Sequence, residues 1–284
     1  MLKKIFFAAA LLLASELIAK PVVIASIAPV EYLAKAVGGD KIEVQSLAKG
    51  DVHSYEPKPN DMKAVAKARI FIAAGLEFEE AWIPRFKASA KNLVVVKSDA
   101  KIAKLKEERG EQAEHDEKHE AHADPHVWLN PMLAITMARN ISDALIDMDK
   151  ANKDFYLKNF QKLMNDLLAF DESAKNELAG LKNRKFVVYH PAWGYFAAHY
   201  DLEQISIERN GKEPKIDEMA STLKMIKDEN IKVIFADPNR SQKSAQILAS
   251  QTGAKVELLD PLGYNLLENL KIAVGAIKDA NSPK

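Results

Sequence analysis

Eight short runs rich in β-branched residues, arranged as two sets of four, constrain the fold of this 284-residue chain more than any other feature. PVVIASI from Pro21, IEVQSL from Ile42, RIFIAAG from Arg69 and NLVVVKS from Asn92 form the first set. KFVVYH from Lys185, EQISIE from Glu203, KVIFAD from Lys232 and KVELLD from Lys255 form the second. Strands that are apolar nearly throughout, separated by stretches of helical periodicity, indicate parallel sheets covered on both faces. The expected fold class is α/β, with two lobes, each a parallel four-stranded sheet covered by helices.

Between the sets, the stretch from Met132 to Ala179 contains neither glycine nor proline, and Tyr156, Phe160, Leu163, Leu167 and Phe170 recur in it at steps of three and four. That is a helix with one buried stripe, preceded by a shorter helix containing Ile135, Ile141 and Leu145. A long rigid linker helix of this kind holds the lobes stiffly and limits hinge closure. The chain accordingly divides into an N-terminal lobe over 20–131, a helical segment over 132–179 and a C-terminal lobe over 180–284. Within the first lobe, residues 107–124 read EERGEQAEHDEKHEAHAD, with almost nothing apolar beyond alanine, and are expected to form a mobile charged loop.

The first 19 residues read as a signal peptide: Lys3 and Lys4 precede an apolar stretch from Ile5 to Leu13, and cleavage is expected after Ala19. That stretch is about nine residues long, well short of the roughly 20 that span a bilayer. Forty basic side chains balance forty acidic ones, and no basic stripe with interleaved aromatics suggests nucleic acid as a partner. Cysteine is absent, which excludes disulfides and removes the residue that carries a bacterial lipid anchor. An exported, freely diffusing periplasmic monomer is the expectation.

Without thiolates, a transition-metal site here must use imidazole nitrogen and carboxylate oxygen. Three of the seven histidines stand apart: His53 in GDVHSYEPKPND, His126 in DPHVWLNP and His190 in VVYHPAWGYF. His53 follows the strand at Ile42, in a loop restricted by Pro57 and Pro59, with Asn60 or Asp61 placed to cap the next helix. His190 and Asp260 each end a strand of the second set and are each followed by proline, the position where open α/β sheets bind ligands. Two residues from each lobe, His53, His126, His190 and Asp260, can thus meet in the interlobe cleft and form a tetrahedral shell suited to zinc. Plainer accounts stand beside each. His53 can be a surface-loop residue, His126 can open a helix beneath Trp128, and His190 and Asp260 can bond their own turns. Glu208, at the end of EQISIE, is solvated, an outer-shell partner or a competing ligand. His199 has no evident partner. His115, His119, His122 and His126 are spaced four, three and four, which would share one face of a helix, but nothing predicts a helix there, and the first three are a solvated charge run or a weak auxiliary metal-gathering loop.

Taken together, HSYEPKPND, the EEAW after it, DPHVWLNP, YHPAWGYFAAHY, IERNGKEP, FADPNRSQKSAQILASQTGA and LLDPLG resemble the solute-binding proteins of zinc and manganese ABC transporters, the group called cluster A-I or cluster nine. The resemblance covers essentially the whole chain after the leader. It implies four metal ligands at His53, His126, His190 and Asp260. Members that prefer manganese usually carry glutamate at the third ligand, where this chain has His190, and zinc members tend to carry a His-rich acidic loop before the second. The resemblance therefore implies Zn2+ as transported ligand, with Mn2+ as the alternative, and a membrane permease with its cytoplasmic ATPase as partners. No catalytic residues are expected. A zinc hydrolase using Asp260 or Glu208 as base, and an extracellular adhesin, are the competing functions.

Overall fold

The computed structural model describes residues 20–50, 52–106, 123–208 and 214–281, and these build two α/β lobes with one strand order between them. In the first lobe, β1 (Val22–Ala25), β2 (Glu43–Ser46), β3 (Ile70–Ala73) and β4 (Val94–Lys97) form a parallel sheet ordered β2-β1-β3-β4. In the second, β5 (Lys185–Val188), β6 (Glu203–Ser206), β7 (Val233–Ala236) and β8 (Lys255–Leu258) repeat it as β6-β5-β7-β8. All eight runs seen in the sequence become strands. The central strands VVIA, IFIA, KFVV and VIFA are buried almost throughout, whereas the edge strands β2, β4 and β8 expose part of their length. Covering both faces of a sheet fully protects only the strands that also have neighbours on both sides.

The helices are α1 (Ala28–Gly38), α2 (Pro59–Val65), α3 (Glu77–Ser89), α4 (Pro131–Met148), α5 (Lys153–Leu178), α6 (Gly194–His199), α7 (Ile216–Asp228), α8 (Lys243–Thr252) and α9 (Leu266–Asn281). Asn130 starts α4 by accepting the N–H of Met132 at 2.9 Å and of Leu133 at 3.3 Å, and Pro131, which has no N–H to satisfy, opens the first turn. Asp149 ends that helix. Its carboxylate accepts from Asn152 Nδ2 and the Tyr156 hydroxyl, so the helical segment breaks at Asp149 and restarts as α5. On α5, which is 26 residues long, Tyr156, Phe160, Leu163, Leu167 and Phe170 are all buried, as their spacing predicts.

One hydrophobic core runs through both lobes. It includes Val23, Leu33, Trp128, Leu167, Phe186, Phe235 and Leu270, while two smaller clusters lie on the other faces of the two sheets. The linker helix is not the lobes' sole connection, because α9, at the end of the chain, packs on both α5 and α1. Each sheet reverses its strand order between its two central strands, β1 and β3 in one lobe and β5 and β7 in the other. Ligands of open α/β sheets bind beyond the strand ends at such points. No helix among the described residues is long and apolar enough to cross a membrane.

Candidate metal centre

Each of the three isolated histidines is placed by a local feature of its own segment. His53 lies in the loop after β2, which is anchored where Asp61 accepts the Lys58 N–H and the Tyr55 hydroxyl, both at 2.8 Å. Asp61, rather than Asn60, is therefore the residue that ties this loop to α2. His126 opens a short 3-10 turn, Val127–Leu129, whose Trp128 is fully buried and donates its indole N–H to the Pro261 carbonyl of the other lobe at 2.8 Å. His190 lies just beyond β5, at the switch point of the second sheet. The three converge: one nitrogen from each lies within 4.8 Å of the others, with His126 and His190 buried and His53 exposed.

Carboxylates stand behind the two buried rings. Asp124 Oδ1 contacts His126 Nδ1 at 2.8 Å and also accepts the His126 backbone N–H at 2.9 Å. Glu208 Oε2 contacts His190 Nδ1 at 3.0 Å. An ionised carboxylate can only accept, so each Nδ1 carries a proton, and in the neutral imidazole that binds metal each Nε2 is left with its lone pair. Those Nε2 atoms face each other at 3.4 Å. With no proton to share, two lone pairs at that distance repel unless a cation sits between them. Two nitrogens bound at roughly 2.0–2.1 Å to a tetrahedral zinc stand roughly 3.3–3.4 Å apart, which matches the spacing of this pair.

Asp260 does not join the histidine group among the described residues. Its Oδ1 accepts from Asn239 Nδ2 at 3.0 Å and from the Leu262 N–H at 2.9 Å, so the carboxylate is held by its own turn and by the loop after β7. Asp237 and Arg240, on that same loop, line the cavity shared by the three histidines. Asp237 is buried, which pushes its carboxyl up, and the nearby Asp260 charge adds to the rise. The space among the three histidines measures about 10 Å3, enough for an ion or a water, and a larger pocket of about 180 Å3 opens beside it at His53.

Glu208 takes the outer-shell place among its expected alternatives, and Asp124 and His199 differ from the sequence expectations. Glu208 is not solvated: it is 3% exposed, and Arg240 Nη1 donates to both of its oxygens at 2.9 Å. Asp124, assigned to the charged loop, is buried against His126, and its place two residues before that histidine in DPH was the available signal. His199 does have a partner, Asp171 Oδ1 at 2.6 Å. Arg240 and Asp237 were missed because only the parallel pairing of β7 with β5 brings their loop beside His190. His115, His119 and His122 lie outside the described residues.

The family described as ZnuA, zinc-uptake complex component A, periplasmic, matches residues 23–280. The high-affinity zinc uptake system protein ZnuA of Bacillus subtilis (strain 168) is 30% identical over 279 residues, covering 91% of this chain and 86% of that protein. A crystal structure of ZnuA superposes with a TM-score of 0.87 at 35% identity, covering 93% of this chain and 100% of its own. The laminin-binding protein Lmb of Streptococcus agalactiae, described as bifunctional with adhesin and metal-transporting activity, follows the same fold at a TM-score of 0.81 and 27% identity, over 93% of this chain and 100% of its own. With the match running through both sheets and all three converging histidines, the chain belongs to the ZnuA family of periplasmic zinc-uptake components.

Proposed function

We propose that His53, His126 and His190 bind Zn2+, with Asp260 as fourth ligand once its carboxylate turns away from Asn239. The protein is the periplasmic zinc-binding receptor of an ABC transporter, capturing the ion and delivering it to the membrane permease whose cytoplasmic ATPase drives uptake. The observation that carries the site is the 3.4 Å approach of His126 Nε2 to His190 Nε2, each ring backed by a carboxylate. A nitrogen-rich shell favours zinc over manganese, which prefers oxygen donors. Members of this family are metal-binding receptors of transporters and not enzymes. The lobes serve as the scaffold on either side of the ion, 20–131 and 180–284, with the helical segment 132–179 between them. Removal of residues 1–19 on export, and circulation as a monomer without a lipid anchor, complete the proposal; the lack of cysteine supports the last point.

Competitive titration of the mature protein, zinc against manganese with metal per chain read by elemental analysis, tests this. One tightly held zinc that manganese cannot displace is expected. His190→Ala should weaken that site far more than removal of residues 111–121. Preferential manganese retention, or the opposite ranking of the two variants, overturns the assignment.

A further inference from the structure

Tyr195 lies on the first turn of α6, five residues beyond His190, and is 4% exposed. Its hydroxyl accepts the Leu105 N–H at 2.8 Å and donates to the Asp124 carbonyl at 2.8 Å. Those two residues are the chain neighbours of Lys106 and Ala123. They are also bonded to each other, Asp124 N–H to Leu105 O at 2.9 Å, beside an antiparallel bridge between Lys106 and Ala123. A single hydroxyl of the second lobe thus fixes the backbone of the residue whose carboxylate orients a histidine of the first.

We infer that Tyr195 is a positioning residue for the metal: it holds Asp124, and through Asp124 the His126 ring, in register with His190. The inference rests on the zinc site proposed above. Two further observations support it. Gly194 permits the approach, since a Cβ there would stand 3.2 Å from Asp124 Oδ2. Burial pushes the Tyr195 phenol up to about 12, so it retains at neutral pH the proton it donates to Asp124. The phenol's one proton and one of its lone pairs are both used across the lobe boundary. Without the hydroxyl, the Asp124 carbonyl and the Leu105 N–H lose their shared partner, and the turn that aims the Asp124 carboxylate at His126 Nδ1 is free to shift. Groups that bond a ligand directly, as Asp124 bonds His126, are typically worth tenfold or more in metal affinity, and Tyr195 acts through that group.

The test is a double-mutant cycle on the full mature chain, with zinc affinity read by competition against a chromogenic chelator. Tyr195→Phe keeps the ring in place and should weaken zinc by about tenfold. Asp124→Asn should weaken it on its own. The double variant should lose little beyond Asp124→Asn, because both changes cut one line of support. A second readout uses 15N NMR of the metal-free protein: His126 should be the Nδ1–H tautomer in the wild type and a mixture of tautomers in Tyr195→Phe. Unchanged affinity and tautomer in Tyr195→Phe, or fully additive losses in the double variant, overturn the inference while leaving the zinc site standing. A wild-type chain that binds no zinc, or His126→Ala binding it as tightly as wild type, overturns the zinc site and this inference with it.

Discussion

Behind the His190 imidazole stands Glu208, and behind Glu208 stands Arg240, so one ligand is oriented by a chain of two charged side chains drawn from two different loops. The carboxylate fixes the Nδ1–H tautomer and raises the electron density that Nε2 offers the metal. Glu208→Gln keeps the shape but removes the charge, and it leaves the Arg240 guanidinium, 15% exposed, facing a neutral amide. Zinc affinity should fall about 10- to 100-fold, measured by chelator competition, with one zinc still bound per chain. Wild-type affinity in this variant would show that the charge on Glu208 adds nothing to the hydrogen bond that orients the imidazole. Asp260 poses a different residue-scale question, since its Oδ1 is occupied by Asn239 and the Leu262 N–H in this structure.

Among the elements, α6 is short, six residues, and is tied to α5 by one side-chain pair at its last turn. His199 at its last turn meets Asp171 Oδ1, and Lys175 Nζ meets Asp171 Oδ2 at 2.7 Å. Burial by itself would raise the Asp171 carboxyl, but the bonds from Lys175 and His199 outweigh it and hold the group below its ordinary value. A carboxylate depressed in the folded state contributes stability above its unfolded value, roughly 4, and loses it as pH falls through the lower folded value. Asp171→Asn should therefore lower stability at neutral pH and flatten the decline below roughly pH 4, as followed by urea denaturation across pH. An acid limb identical to wild type would mean that the cluster forms no pH-dependent link between α5 and α6.

At the scale of the whole molecule, the core that joins both lobes makes independent unfolding of either one costly. Metal-free protein should unfold in one cooperative transition by calorimetry and by circular dichroism, and zinc should raise its midpoint, with about 2.7 kcal/mol gained at a free zinc concentration 100 times the dissociation constant. Two separated transitions would show that α5 and α9 bridge the lobes without coupling them. Much of this architecture is legible in the residues. The eight strands, the break before α5 and its buried stripe follow from periodicity and β-branching, which are local properties of the chain. His53, His126 and His190 could be named because strand ends and proline-bounded turns mark where an α/β sheet presents side chains. What the chain order conceals is the set of partners. Glu208 looks solvated until β6 pairs with β5, after which it stands against His190 18 residues away, and Arg240, 32 residues beyond Glu208, arrives only with the loop after β7. The sequence by itself thus determined two α/β lobes and three candidate metal-binding imidazoles. Tertiary structure alone decided which carboxylate backs each ring, where Asp260 directs its oxygen, and how Tyr195 joins the lobes, because hydrogen bonds between distant segments exist only once packing brings those segments together.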